Sequence, residues 1–363
     1  MTTSINAVAS HNDLVTAPIT YSSPTSGQRG FSTVMFISSD STLGGSDRVR
    51  SYATAAEIAT ALAAGTLSAS AAAAGTIAFA QANPPDRFLI GRKDGAETWA
   101  AAYALCVVDV LGVEAFGICI QSRVDADILA IGAAVEAEGL RLFGAQANNA
   151  DLLSGAIASS TLAAMAAYKL TALYYHTTDT QWLDVAHMVD RLSWDPDETS
   201  AGWNSAVLTV SAYTGTAITQ TQKAQGRTNN VNLMLPFGTT TDLYVDPGHV
   251  MAGLQISEVV TGMWVSTRIR EAIADLIVAY AARGQKLPVT SGGQAVGNAA
   301  VFAILLRGVT GGHFVADQIQ VTNVAITAAD LLAARLRYTI VAQNVTSARS
   351  LAFPFTLSTT AVI

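Results

Sequence analysis

The chain has 363 residues, half of them hydrophobic and only 13% charged, with a formal net charge of −7. A chain this long supports two or three domains with real cores, and its negative balance offers no basic footprint for nucleic acid. Charge at roughly half the usual level of about 25% leaves two readings open: a surface largely covered by other subunits, or a large Ala-rich soluble enzyme.

Residues 1–30 are rich in Ser, Thr and Asn, carry Pro18, Pro24, Gly27 and Gly30, and show no helical period. They read as an extended arm. No basic segment followed by an apolar one opens the chain, so no signal peptide is expected. FSTVMFIS at 31–38 is a buried-strand pattern. Helices are expected at 52–64, with Glu57 in an early turn, and at 71–82, stopped by Asn83-Pro84-Pro85.

A repeating pattern follows. Strands at 87–91 (RFLIG), 115–121 (AFGICIQ), 140–145 and 172–176 alternate with helices at 97–110, 126–138, 158–168 and 181–191. Four short apolar strands alternating with helices predict a parallel sheet covered on both faces, with right-handed crossovers. From about 192 the pattern breaks into Thr- and Asn-rich sequence. It suggests a helix near 202–208 and short strands at 232–236 and 241–245. The last third returns to long helices, at 266–283 and 295–307, and then a strand–helix–strand pattern that includes a helix at 328–337. The end of the chain carries Leu351, Phe353, Phe355 and Leu357 on alternate residues, so an extended strand there would put all four on one face. Pro354 removes one donor and suits an edge strand.

The apolar run at 299–306, bounded by Asn298 and Arg307, is far short of the ~20 residues a bilayer requires. The two cysteines, Cys106 and Cys119, sit in apolar stretches and read as buried small hydrophobes rather than metal ligands; an intracellular, reduced chain is expected.

An open parallel sheet invites a search for ligand motifs at its strand ends. The sequence has no G-x-G-x-x-G after a strand, no G-x-x-x-x-G-K-[ST] and no G-x-S-x-G. His176 stands at a strand end, where an α/β hydrolase places a catalytic group, but a solvent-touching polar residue is the plainer reading. Asp184, His187 and Asp190 share a helix face. A solvated face accounts for them more simply than a metal site. Asp195, Asp197 and Glu198, interrupted by Pro196, lack calcium-loop spacing and read as a turn.

From Ile218 the sequence AITQTQKAQGRTNNVNLMLPFGTTTDLYVDPGHVMAGLQISEVVTGMWVSTRIREAIADLI resembles the tail sheath-like proteins of contractile-tailed bacteriophages (the DUF3383-like family). Gln222, Asn230, Asn232, Gly248, Gly253, Gly262 and Trp264 carry the likeness. Glu258 stands near the expected first acid, and Met263 replaces the acid before Trp264. Upstream, 48–52, the helix at 55–63 and AFAQANPPDRFLIGR resemble the same family, as does KLPVTSGGQ at 286–294.

The resemblance implies an α/β plus α+β fold: a four-unit βα sheet domain on the outside, a C-terminal α+β assembly module, and extended N- and C-terminal arms. The expected divisions are 1–30 (arm), 31–253 (α/β domain with its connecting region), 254–343 (assembly and tube-facing module) and 344–363 (arm). It further implies a structural, non-enzymatic sheath subunit without cofactor or metal. Its partners are then copies of itself in a six-fold ring or helix, a tail tube protein, and baseplate and tail terminator proteins, with no direct nucleic acid and no membrane insertion. Such a subunit is assembled in the host cytoplasm and resides in the virion. Ile5, Val8, Leu351, Phe353, Phe355 and Leu357 become the residues for strand exchange between subunits, and Asp330, Arg335 and Arg337 become candidates for contact with the tube. The alternatives are a hydrolase-like enzyme near His176, or another virion structural protein.

Overall fold

A computed structural model describes residues 30–108, 115–210, 218–236 and 243–345. Its largest feature is a sheet of eight strands: β1 (Val34–Ser38), β2 (Val49–Tyr52), β3 (Phe88–Arg92), β4 (Gly117–Ile120), β5 (Leu142–Ala147), β6 (Thr171–Tyr175), β7 (Val231–Pro236) and β8 (Leu243–Asp246). Their order is β2-β3-β1-β4-β5-β6-β7-β8. The six strands from β3 to β7 are mutually parallel, while β2 and β8 run antiparallel at the two edges.

The central strands read as unbroken apolar runs because each buries both faces. In β1, Val34 and Phe36 enter one core cluster while Met35 and Ile37 enter the other. The first cluster lies under α2 (Ala69–Phe79) and α5 (Leu183–Leu192); the second lies under α3 (Trp99–Val108) and α4 (Asp125–Glu138). A short helix, α1 (Ala55–Ala63), links β2 to α2, capped by the Thr54 hydroxyl. Cys106 and Cys119 are buried within these cores, as their setting predicts.

Several expectations change. The sheet is wider than four strands: the 31–38 segment, Val49–Tyr52 and the two strands after 230 all join it. The helix expected at 158–168 is instead a series of short 3-10 segments, Ala150–Leu153, Gly155–Ser159 and Thr161–Ala167. Ser154 caps the second of them through its side chain, and serines offer the backbone such local bonds in place of a continuous helix. No helix forms at 202–208. Ser205 and Leu208 donate their backbone N–H groups to Val245 and Leu243, and Val245 donates to Ala206, so this segment spends its backbone bonds on the open side of β8.

The residues that carry the family likeness hold one corner together. Gln222 and Thr219 form a capping box at the start of α6 (Gln220–Thr228). The buried Asn232 accepts from the backbone N–H groups of Gly248 and His249, both at 2.9 Å, and donates to the carbonyls of Leu173 and His249. Asn230 donates to the Met251 carbonyl at 3.1 Å. Gly248 has φ of +75°, and a Cβ there would lie 2.6 Å from the backbone nitrogen of Asn204, so no side chain fits.

Beyond this corner lie α7 (Ile256–Ala282), α8 (Ser291–Thr310), β9 (Phe314–Asn323), α9 (Ala328–Leu332) and β10 (Tyr338–Asn344). Helix α7 starts ten residues before the expected 266, and its 27 residues span about 40 Å. Its fully buried residues, Ile256 to Arg268, all fall in its first half. Helix α8 is long and apolar enough to cross a membrane by length and composition; here it packs on α7 and β9. The close approach requires Gly308, where a Cβ would lie 2.5 Å from the Phe314 ring.

Candidate assembly surfaces

Strands β9 and β10 form a two-stranded antiparallel sheet apart from the large one. Their register pairs Tyr338 with Asn323, Ile340 with Val321 and Ala342 with Ile319. The Val324 N–H donates to the Arg337 carbonyl at 3.1 Å. Bonded and non-bonded pairs alternate in an antiparallel ladder, so residues 337, 339 and 341 bond to β9. Tyr338, Ile340 and Ala342 then turn their backbone N–H and C=O groups away, toward the outer edge of β10. On β9 the outward groups are those of Ile319, Val321 and Asn323. One of them is already used: Asn298 of α8 donates to the Val321 carbonyl at 3.0 Å.

The same parity sorts the side chains. Ile319, Val321 and Ala342 pack toward the core, while Gln320, Thr322, Thr339, Val341 and Gln343 are exposed. Between the outer edge of β10 and α7 lies an open groove of about 540 Å³, lined by Val265, Ile269, Leu305, Phe314 and Ile340 among others. It joins an apolar floor to a strand edge whose backbone groups have no strand partner among the described residues, the two things an added strand uses.

A buried polar cluster ties this region to the loop after α5. Asp197 accepts from Trp264 Nε1 at 2.6 Å and Arg268 Nε at 2.9 Å, and Arg307 stands 3.2 Å away. A second Arg268 nitrogen also pairs with Asp197, and another reaches Glu271 at 2.7 Å. Burial pushes the Asp197 carboxyl up, but the hydrogen bonds from Arg268 and Trp264 outweigh it and leave its pKa below the ordinary aspartate value. His313 stacks on Trp264 with ring centroids 4.7 Å apart. Its Nε2 donates to the Pro196 carbonyl at 2.7 Å, so Nδ1 accepts from the Thr261 hydroxyl, also at 2.7 Å. Burial lowers its pKa.

The two ends of the described chain meet this cluster. Arg268 lies over the ring of Phe31, 5.3 Å from its centroid, and Val345 donates its N–H to the His313 carbonyl at 2.9 Å. The arm residues themselves, Ile5, Val8, Leu351, Phe353, Phe355 and Leu357, lie outside the described residues.

Asp330, Arg335 and Arg337 do come together. Asp330 closes a capping box with Thr327 at the start of α9. Its carboxylate accepts from Arg337 at 2.7 Å and from Arg335 at 2.8 and 3.0 Å; the bonds from Arg337 and Thr327, with a smaller part from Arg335, hold its pKa well below the usual range. The carboxylate is enclosed, whereas both arginines stay about half exposed. The region 328–337 is therefore a short helix and an ion-paired turn rather than one helix: Ala334 has φ of +48°, which a helix does not admit.

The enzyme candidates serve the fold. His176 is fully buried rather than touching solvent, and its Nδ1 accepts from the Thr178 N–H. Asp184, His187 and Asp190 are fully buried as well, so the solvated helix face is not found. Asp184 is paired with Arg123 and Asp190 with Arg191. His187 donates from Nε2 to the Trp203 carbonyl and accepts from the Tyr174 hydroxyl, both at 2.9 Å; burial lowers its pKa to about 3. Asp195, Asp197 and Glu198 do form the expected turn. Its role in pairing with α7 was not legible, because the bond from Arg268 spans 71 residues. Among the described residues no three His, Cys, Asp or Glu side chains converge as a metal site.

No family model matches this sequence, and no curated protein matches it. The fold is found instead among solved structures of contractile sheaths and the assemblies that carry them. The chain is similar to a chain of the anti-feeding prophage baseplate, determined with six-fold symmetry, at a TM-score of 0.67 and 14% identity, covering 98% of this chain and 100% of that one. It is similar at 0.66 and 14% to the helical sheath of the same prophage in the contracted state, covering 98% and 99%. A sheath tail protein from Listeria innocua matches at 0.53 and 9% identity, covering 88% and 96%.

Proposed function

We propose that this chain is a structural subunit of a contractile tail sheath of a phage or phage-like particle, one that polymerises around a tube and shortens to drive that tube forward. The observation that carries this is the outer edge of β10, which has no strand partner among the described residues and lies beside the groove along α7. A groove built to receive a strand suits a protein that joins copies of itself by strand addition. The shared fold with sheath chains over nearly the whole length supports the same reading.

In this reading residues 31–253 form the outer domain, with its βα units, and 254–343 the inner assembly module. The arms, 1–30 and 344–363, supply the exchanged strands through Ile5, Val8, Leu351, Phe353, Phe355 and Leu357. Arg335 and Arg337 keep exposed guanidinium surface for the tube, and Asp330 holds them in place. Partners are further copies in a six-fold ring or helix, the tube, and baseplate and terminator proteins. The subunit needs no cofactor, and it assembles in the host cytoplasm.

Removing residues 346–363 tests the exchange. The truncated chain is expected to keep the circular dichroism and melting temperature of the full chain while sedimenting as monomer. Polymers formed as well without the tail as with it would end the strand-exchange reading.

A further inference from the structure

The outer edge of β10 and the end of the chain share a period. Tyr338, Ile340 and Ala342 turn their backbone groups outward. Asn344 does the same, because Val345 gives its N–H to the His313 carbonyl. The side chains of Ile340, Ala342 and Asn344 line the groove beside α7. In the tail, Leu351, Phe353, Phe355 and Leu357 alternate in the same way. Residues directly opposite in an antiparallel pair have their side chains on one face. Four outward positions and four apolar side chains therefore match completely in one antiparallel register: 344 with 351, 342 with 353, 340 with 355 and 338 with 357. A shift by two leaves a position unmatched at each end. In this register Pro354 stands opposite Val341, whose N–H is already given to β9, so the donor that Pro354 lacks faces away from β10. Thr356 stands opposite Thr339 on the exposed face, a favourable cross-strand pair. Phe353 stands opposite Ala342, beside Gly262 of the groove, where an added Cβ would meet nothing within 4 Å. The bulkiest side chain thus falls over the smallest floor. Residues 15–21 carry the same alternation, Val15, Ala17, Ile19 and Tyr21, with Pro18 at the same place. They put Ala17 where Phe353 would lie, and the space over Gly262 stays unfilled.

We infer that the groove receives residues 351–357 of a second copy, antiparallel to β10, with Phe353 opposite Ala342 and filling the space over Gly262. The inference rests on the sheath reading, which makes the incoming strand a neighbour's. To that reading it adds which arm enters this groove, in which direction and in which register.

The test polymerises two full-length variants together, Thr339→Cys and Thr356→Cys, and oxidises the product with copper phenanthroline. Both substitutions lie on the exposed face and leave the apolar contacts intact. The pair is a non-bonded one, with Cα atoms about 4.5 Å apart, inside the roughly 4.4–6.8 Å that a disulfide spans. A diagonal neighbour, at about 7–8 Å, is out of reach. The native Cys106 and Cys119 are buried, so each variant alone gives the background. Covalent dimers are expected at least tenfold above that background, and Thr339→Cys mixed with Ser358→Cys is expected to stay near it. A further variant, Gly262→Leu, fills the floor: it is expected to leave the monomer's melting temperature no lower and to raise the concentration needed for polymer at least tenfold. Polymers that link Thr339→Cys to Ser358→Cys or to Thr20→Cys instead, that form no link, or that tolerate Gly262→Leu overturn the register and leave the sheath reading standing. So does a monomeric double variant, Thr339→Cys with Thr356→Cys, that closes its disulfide within one chain. A wild-type chain that never polymerises overturns both.

Discussion

His187 shows how a single residue links burial to pH. Its imidazole is fully enclosed and bonded as the neutral form, between the Trp203 carbonyl and the Tyr174 hydroxyl, and burial lowers its pKa from 6.5 to about 3. The unfolded chain takes up a proton below pH 6.5 that the folded chain refuses until about pH 3. This group's contribution is therefore complete above pH 6.5 and is lost as the pH falls through that window. One proton corresponds to roughly 1.4 kcal/mol per pH unit. Urea unfolding between pH 7 and 4 should show that slope in the wild type and a shallower one in His187→Gln; equal slopes would rule His187 out as the source. Gly308 carries a second residue-scale prediction. Because a Cβ would meet the Phe314 ring at 2.5 Å, Gly308→Ala should cost about 1–3 kcal/mol by overpacking, measured from the denaturant midpoint. Asp197→Ala strands the Trp264 N–H and leaves Arg268 with Glu271 as its remaining carboxylate partner. The loss should reach roughly 3–5 kcal/mol, the range for breaking a buried pair, and a change below 1 kcal/mol would show the cluster to be ornamental.

At the scale of elements, the parity of β10 separates two substitutions one residue apart. Ile340→Pro removes an N–H that points to the open edge, whereas Val341→Pro removes one that bonds β9. The first should leave a folded monomer that cannot accept a strand, and the second should loosen the sheet itself; proteolysis rates and sedimentation together distinguish them. If Ile340→Pro polymerises like the wild type, that edge is not the one in use. The central strands were legible because burial on both faces writes continuous apolar runs such as VMFIS and TALYY. The edge strand β2 was not: VRSY is half polar because one side faces solvent. The first turns of α7 lay outside the expected 266–283, and Gly262 within them opens onto the β10 groove without breaking the helix. Helix α5 was misjudged for a different reason. Its charged residues suggested a solvated face, but Arg123, 61 residues away, pairs with Asp184, and no local pattern announces such a partner. The candidate surfaces were legible only in outline. The strand–helix–strand pattern after the long helices pointed to β9 and β10, but the groove beside β10 and the exposure of Leu331 and Leu332 arise from tertiary placement.

For the whole molecule, apolar composition and function meet in one place. The described residues from 277 onward concentrate exposed large hydrophobics, including Ile277, Val278, Phe302, Leu306, Leu331, Leu332 and Val341, while the eight-stranded sheet buries its own. A surface poor in charge and rich in open apolar ground is what an assembling subunit presents. The Asp197 cluster sits where the loop after α5 meets α7, beside Phe31 and Val345 at the two ends of the described chain. Assembly by strand addition at the β10 edge is tested most directly by an image of the full-length protein at high concentration. Electron microscopy with helical reconstruction is expected to show tubes in which a strand from a neighbouring copy lies along the outer edge of β10, over the groove lined by Val265 and Ile269. A protein that stays monomeric with its termini intact, or tubes in which that edge is bare, would contradict it.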